Sequence, residues 1–265
     1  MRSLKLIIAG LAITLGAINS AQATPISFNL NTPDSRDDIL DSNSTYAMQY
    51  NYEEEGLGLA VTGWSYGQEC TKTRRGKCTN WLLNESIEQD YVGKWDGLGV
   101  EVTDSPNHAV DNEIGDYDMH LLSFDELVKL TTLDLGWFEN DSDISILAFN
   151  GSSFDQSSLL GKQWQDLIGN DWQLVGNYYN VDYGTNSGAV NFDGITSQYW
   201  LVGAYNENFG DVFSGSNKNK SNGNDYYKLK GVTVERPPVE VPETNSLILL
   251  MLGLAGLVVA RRRSV

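Results

Sequence analysis

Residues Leu127–Trp137 read LVKLTTLDLGW, and this pattern is the starting point for the fold class. Apolar and polar residues alternate along it, the period-two pattern of a β-strand with one buried face. The apolar parity changes from Val128 and Leu130 to Leu133 and Leu135, and such a change predicts a β-bulge near Thr131–Thr132. The stretch therefore predicts a long antiparallel strand with a bulge at its centre.

Other strand-length segments lie on both sides of this stretch, separated by Gly- and Asn-rich connections. One segment has helical spacing, because its apolar residues recur at i, i+4, i+7 and i+8; its N-cap is Ser153 or Asp155 and its stop is Gly169-Asn170. Those apolar residues are Leu160, Trp164, Leu167 and Ile168. We expect an all-β domain over residues 24–235, an antiparallel jelly-roll-like β-sandwich with one short helix.

The composition is strongly acidic, with 18 Lys and Arg against 35 Asp and Glu and a net charge of −17. Such a surface repels phosphate backbones, so a nucleic-acid partner is excluded as the main ligand. The same surface favours cations, which makes calcium the metal to consider.

The first residues have the layout of a secretory signal peptide. Arg2 and Lys5 precede an apolar run over 6–17, and Ala21 and Ala23 stand at the small-residue positions that a signal peptidase needs. We therefore expect residues 1–23 to be removed and the remainder to be exported through the inner membrane to the periplasm.

The other end combines a Pro-containing linker over 236–243 with an apolar helix and a basic cluster over 244–265. The apolar run over 247–260 is shorter than the roughly 20 residues that a bilayer core requires, so it would be a poor permanent anchor. Arg261, Arg262 and Arg263 match the cytoplasmic stop of the positive-inside rule. This layout predicts a removable sorting signal that inserts transiently into the inner membrane.

The tail resembles the PEP-CTERM sorting signal of Gram-negative bacteria. Val241, Pro242 and Glu243 match the motif, and Thr244 stands where the family usually has a second Pro. The resemblance implies recognition by exosortase, followed by transfer to the cell surface or the exopolysaccharide matrix. Residues 97–144 are similar to the exosortase-dependent surface protein family, which implies no particular activity.

Cys70 and Cys78 bracket the one strongly basic loop of the chain. Two cysteines in an exported protein most simply form a disulfide bond, which here would pin the tip of a hairpin. A zinc site would need further soft ligands at similar spacing, and the sequence places none nearby.

Two acidic loops flank the long strand, and they predict a calcium site. Carboxylate and amide oxygens at alternating spacing are the ligands that calcium takes, although neither loop has the EF-hand pattern. The alternative is a pair of solvated acidic turns, which an acidic composition also produces. The candidate ligands are Asp111, Asn112, Glu113, Asp118, Asp141 and Asp143. Beyond this possible ion, no cofactor is required.

Catalytic motifs are weak. Gly63–Gly67 fits the G-x-S-x-G pattern around Ser65, but no helix is expected after it, so the match is read as a coincidence. The acidic run Glu53–Glu55 is read as a solvated turn and not as a glycosidase pair. The expectation is a non-catalytic secreted surface or matrix protein, with an extracellular hydrolase as one alternative.

The aromatic residues leave a second alternative, a lectin-like module that stacks sugar rings on exposed tryptophans. Trp64, Trp137 and Trp200 lie in or at the ends of strands and are expected in the core. Trp81 and Trp95 lie in loop-like surroundings and are expected to be exposed.

Overall fold

The computed structural model describes residues 23–40, 45–74, 77–100, 108–113, 116–182, 188–210, 213–214, 223, 225–238, 251–256 and 260–262. Side chains are not described at 67–71, 73, 77–78, 80–85, 140 and 213–214. Residues 23–237 form one compact unit; the other comprises 1–22 and 238–265. The predicted signal segment up to residue 22, the motif Val241–Thr244 and Arg263 lie outside the described residues.

The compact unit is built almost entirely of β-strands, as the sequence predicts. Their bounds are β1 Pro25–Asn29, β2 Ser35–Ile39, β3 Tyr46–Glu54, β4 Leu57–Arg74, β5 Lys77–Asp90, β6 Val92–Lys94, β7 Leu98–Val100, β8 Val110–Asp111, β9 Met119–Asn140, β10 Ile144–Phe149, β11 Trp172–Tyr178, β12 Ser197–Ala204, β13 Phe213–Ser214 and β14 Asp225–Glu235.

The strands close into a barrel. Within the described residues, β14, β7, β6, β3, β4 and β9 pair in that order, and β9 pairs back with β14. The series β12, β10, β11 and β13 extends outward from β9. This pairing differs from the expected jelly roll, because one continuous sheet closes on itself and does not form two facing sheets.

The length of β9 makes this closure possible. Its first half pairs with β4 and β12, and its second half pairs with β14 from Lys129 to Asn140. A strand of 22 residues can therefore belong to the barrel and to the outward extension at once.

Alternation along the strands separates two hydrophobic clusters. On β9, Leu122 and Phe124 belong to one hydrophobic cluster, which we call the barrel cluster, whereas Met119 and Leu121 belong to a second cluster on the opposite face. That second face packs against Leu159, Trp164, Leu167 and Phe209 from the connections outside the barrel. The sheet around β9 is consequently buried on both faces.

The predicted bulge in β9 is confirmed. Thr132 pairs with Thr233 and Leu130 with Val234, which leaves Thr131 as the extra residue. Its hydroxyl donates to the Thr233 carbonyl at 3.0 Å. The bulge moves the buried positions from even to odd numbers, as the parity of the sequence indicates.

The predicted helix around Leu160–Ile168 is wrong. Two 3₁₀ segments, Gln156–Leu159 and Trp164–Asp166, occupy this region instead. Gly161 between them has φ +73°, a left-handed conformation that interrupts an α-helix. Trp164 and Leu167 are buried whereas Leu160 and Ile168 are exposed, so the four residues do not share one face. The Asp155 cap is correct, since its carboxylate accepts a hydrogen bond from the Ser157 amide at 2.9 Å.

The tail is helical where it is described, at residues 251–256 and 260–262, which include Arg261 and Arg262. Within the described residues, no helix has the length and apolar character needed to cross a membrane.

The two cysteines lie on the β4–β5 hairpin, but not opposite each other. Cys70 pairs with Trp81, and Cys78 pairs with Thr73. Three residues along a strand correspond to about 10 Å, more than the roughly 7 Å between Cα atoms that a disulfide spans. A bond between them would require this end of the hairpin to change register; their side chains lie outside the described part, and the disulfide stays a prediction.

Candidate functional site

Three aspartates from two distant parts of the sequence meet at one end of the barrel. Asp141 follows β9, Asp143 precedes β10, and Asp225 opens β14. One carboxylate oxygen of each lies within 4.8 Å of the others. The loop between β9 and β10 brings the first two together, and the bridge pairing of Asp141 with Asp225 adds the third.

A network of hydrogen bonds holds this acidic cluster in place. The Asp225 carboxylate accepts from the Asn112 side-chain amide at 2.6 Å and from the Asp143 backbone amide at 3.0 Å. Asn112 in turn accepts from the Asp225 amide at 3.1 Å and donates to the Tyr205 carbonyl at 2.8 Å. The Asn180 amide donates to Asp143 Oδ1 at 2.8 Å. Asp143 and Asp225 are therefore fixed from several sides.

Burial makes these carboxyl groups hard to ionise. Asp143 and Asp225 are both 0% exposed. Desolvation, opposed by the Asn180 amide and reinforced by the charge of Asp141, raises the pKa of Asp143 to about 7. Desolvation, a hydrogen bond with Asp141 and the charges of Asp141 and Asp143 raise the pKa of Asp225 well above its ordinary range, so that protonated Asp225 donates to Asp141. Because two carboxyl groups can share a hydrogen bond only when one is protonated, the Asp141–Asp225 pair retains a proton without a cation.

Asp143 Oδ2 and the Tyr227 hydroxyl are among the buried polar atoms of this region that have no hydrogen-bond partner within the described residues, and both residues are fully buried. Tyr227 lies two residues after Asp225 on β14, so both side chains share a face. Burial raises the pKa of the Tyr227 hydroxyl, and the carboxylates of Asp118 and Asp225 raise it further.

The structure brings together only part of the calcium site that the sequence predicts. Asp141 and Asp143 lie in the cluster, and Asn112 positions Asp225 through its amide group. Asp111 and Asp118 pair locally: the Asp111 amide donates to Asp118 Oδ2 at 3.3 Å, and the Asp118 amide donates to the Asp111 carbonyl at 2.9 Å.

Glu113 is not one of the three clustered residues, and its backbone makes local hydrogen bonds with Asp111 and Asp116. Its backbone amide donates to Asp111 Oδ1 at 2.9 Å, within the same turn. Asp225 was not identified from the sequence as a member of the site. Its sequence position could have indicated it, because it is an acidic residue at the start of the last strand, after a Gly- and Asn-rich connection.

A second candidate site is an aromatic cleft of about 450 Å³. Its lining residues are Trp95, Asp96, His108, Trp137 and Lys228. The Lys228 ammonium lies 5.2 Å from the ring centroid of Trp95 and 5.7 Å from that of Trp137, so it stands between two indoles.

Neighbouring rings fix the orientation of Trp95. The His108 ring stacks on it with centroids 5.2 Å apart, and Tyr46 meets it edge-on at 5.0 Å. Trp95 nevertheless keeps 39% of its surface exposed, as predicted. The other tryptophan expected to be exposed, Trp81, has its side chain outside the described part.

Trp137 corrects the sequence-based prediction that it lies in the core. Leu135 pairs with Leu229 and Trp137 with Lys228, so Gly136 is a second bulge residue in β9. The bulge turns Phe138 towards the barrel cluster and leaves Trp137 on the cleft side. Trp64 and Trp200 are 0% exposed, which confirms their predicted place in the core.

Electrostatics in the cleft are mixed. Burial lowers the pKa of Lys228, and the nearby charge of Asp96 opposes this shift. Asp96 also forms an ion pair with Lys230, with 3.7 Å between Oδ1 and Nζ. The cleft thus presents hydrogen-bond donors and acceptors beside two indole rings.

The weak catalytic motifs have structural explanations. Ser65 lies in the middle of β4 with its side chain 0% exposed, and the strand continues to Arg74 without a turn into a helix. The nucleophile elbow requires that turn. Glu53–Glu55 are exposed at the β3–β4 turn, as predicted.

Comparisons with protein-family models, with curated proteins and with solved structures give no match for this chain.

Proposed function

We propose that this chain is a non-catalytic secreted surface or extracellular-matrix protein that binds exopolysaccharide through the aromatic cleft. The tail supports the destination, because its PEP-CTERM-like motif and arginine cluster imply sorting by exosortase to the surface of a Gram-negative cell. The cleft is the observation that carries the binding function.

The chemistry of the cleft suits a sugar ring. Pyranose rings present C–H faces that stack on indoles and hydroxyl groups that both donate and accept hydrogen bonds. Trp95 and Trp137 offer the aromatic surface, Lys228 offers donors, and Asp96 offers acceptors. The net charge of −17 disfavours long polyanions, so neutral polysaccharides are the preferred class.

The alternative functions differ in what they require. A lectin-like module would use the same cleft with selectivity for one glycan. A serine hydrolase would need an accessible nucleophile, and the full burial of Ser65 speaks against that role.

Affinity gel electrophoresis tests the binding proposal. The purified chain is run in native gels that contain dextran, galactomannan or xylan, with alginate as the acidic arm. We expect retardation in at least one neutral gel and less or none in alginate.

Variants assign the binding to the cleft. Trp95→Ala and Lys228→Met should weaken binding by about tenfold, the order expected for losing one stacked ring or one charged donor. Phe192→Ala is the matched control, because Phe192 is an aromatic residue with 70% exposure that does not line the cleft. Migration unchanged in every gel, or equal retardation of all three variants, would refute the proposal.

A further inference from the structure

We propose that Asp141, Asp143 and Asp225 bind one calcium ion that joins the start of β14 to the β9–β10 loop. This inference is independent of the cleft. It rests on the position of three carboxylates, two of them buried and one half-buried, on buried polar atoms without hydrogen-bond partners, and on the geometry around them.

The unsatisfied atoms are the observation that points to a ligand. The Tyr227 hydroxyl is fully buried, and it is without a hydrogen-bond partner among the described residues. It lies on the same face of β14 as Asp225. Asp143 Oδ2 is equally buried and unpartnered, although Oδ1 of the same carboxylate is paired with Asn180. Buried polar atoms normally have partners, and a cation with its bound water would supply them.

Ligand type and burial favour calcium. Two oxygens that each lie about 2.4 Å from one ion can be at most about 4.8 Å apart, and the oxygens of the three aspartates satisfy this limit. Magnesium keeps several bound waters and demands near-ideal octahedral geometry, which a largely buried set of protein carboxylates suits less well. The cluster contains no thiol or imidazole group, which disfavours zinc.

The surrounding contacts orient the carboxylates before an ion arrives. Asn112 and the Asp143 amide hold the two oxygens of Asp225, while the Asn180 amide holds Asp143. Hydrogen bonds of this kind fix the ligands of metal sites and reduce the cost of ordering them. Without a cation, repulsion among these carboxyl groups is limited only because the Asp141–Asp225 pair shares a proton, and a bound cation would take the place of that proton.

The position of the cluster indicates what the ion would do. Asp225 begins the strand that closes the barrel, and Asn112 tethers it to the segment after β8. An ion here would cross-link segments that are far apart in sequence and would stabilise the barrel by mass action. The expected role is structural.

Thermal unfolding of the full chain tests the site. Divalent cations are removed with EDTA and dialysis, and melting is followed without metal, with about 5 mM CaCl₂ and with the same concentration of MgCl₂. We expect calcium to raise the melting temperature by about 5 °C or more and magnesium to raise it less. Identical melting in EDTA and in calcium would overturn the proposal.

Variants locate the site and separate it from a folding defect. Asp141→Asn removes a charge with little change in shape, so in EDTA it should melt at the same temperature as the native chain or higher, because repulsion is relieved. In calcium it should melt at a lower temperature than the native chain, since calcium no longer raises its melting temperature. Asp90→Asn is the control: Asp90 is another partly buried carboxylate, outside the cluster, and its loss should leave the calcium shift intact.

Terbium luminescence provides a second measurement for any variant of low stability. Excitation of buried tyrosine should sensitise emission from Tb³⁺ bound near Tyr227, and calcium should displace it. A calcium shift that persists in both Asp141→Asn and Asp143→Asn, or terbium emission that neither variant reduces, would also overturn the assignment.

Discussion

His120 shows how one side chain couples the barrel to pH. It lies on β9 with the same parity as Leu122 and Phe124, and it is 0% exposed. Burial lowers the pKa of its imidazole to about 4, although the nearby polar backbone of Gly99 opposes the shift. The folded protein therefore holds His120 neutral at pH values where the unfolded chain protonates it.

This difference predicts an acid-side loss of stability that a His120→Leu variant should lack. The contribution of neutral His120 to the free energy of unfolding is fully present above the ordinary histidine pKa of about 6.5. It declines as pH falls towards 4, because the unfolded state then binds the additional proton. Between pH 7 and pH 4 the native chain should lose about 3 kcal/mol more stability than the variant. Urea unfolding at several pH values measures how the free energy of unfolding of each protein depends on pH. Equal dependence in the native chain and in His120→Leu would contradict the prediction.

Single residues were partly predictable from the sequence. The Thr131 bulge followed from parity, and the burial of Trp64 and Trp200 followed from their strands. Trp137 did not follow, because the bulge at Gly136 reverses the direction of every later side chain and leaves no apolar signal. Asp225 lies more than 80 residues from Asp143, and only the closed barrel brings the two together.

At the scale of elements, β9 depends on close backbone approach at its second bulge. A Cβ atom built on Gly136 would lie 1.7 Å from the Asp96 carbonyl oxygen, and backbone cannot move aside as a flexible side chain can. The bulge also turns Trp137 towards the cleft. Glycine at this position therefore supports both the strand pairing and the candidate binding surface.

We expect Gly136→Ala to destabilise the protein by about 3 kcal/mol, because the added methyl must push β9 away from Asp96. Gly58→Ala is the matched control within a strand, since its Cβ would meet only the Asp125 carboxylate, at 3.0 Å. That substitution should change stability by about 0.5 kcal/mol or less. Denaturant unfolding of both variants checks the difference, and equal losses would contradict this account.

The elements were predictable as strands but not in their arrangement. Period-two alternation is the same in a sandwich and in a barrel, so the sequence could not distinguish the closure through β14 and β9. The helix prediction was wrong for a local reason. The spacing over 160–168 is helical, but Gly161 adopts a left-handed conformation, and only Trp164 and Leu167 of the four apolar residues are buried.

At the scale of the whole molecule, the barrel is complete without the tail. Residues 23–237 form their own compact unit, and the last strand, β14, ends at Glu235. Arg236, the residue after β14, belongs to this unit, and its guanidinium donates to Glu126 at 3.0 Å. The boundary falls immediately after this contact, close to the predicted linker.

Deleting residues 241–265 should therefore leave the barrel folded while abolishing retention at the surface. We expect the truncated chain to melt within about 2 °C of the full chain, because residues 23–237 form a compact unit of their own. Cell fractionation should find it in the periplasm or the medium, since the proposed sorting signal is missing. Degradation or a much lower melting temperature would show that the tail stabilises the fold.

Strand β14 also has a mechanical consequence. It begins at Asp225, carries Lys228 in its first half and leads directly into the tail. A polymer bound at Lys228 would pull on β14, and an attachment beyond Glu235 would resist that pull. The force would then be transmitted along this single strand. Because the ladder bonds to β9 run perpendicular to the strand, such a load would shear the pairs between them together and would not open them one by one. The strand that closes the barrel would then also be the tether that bears tension.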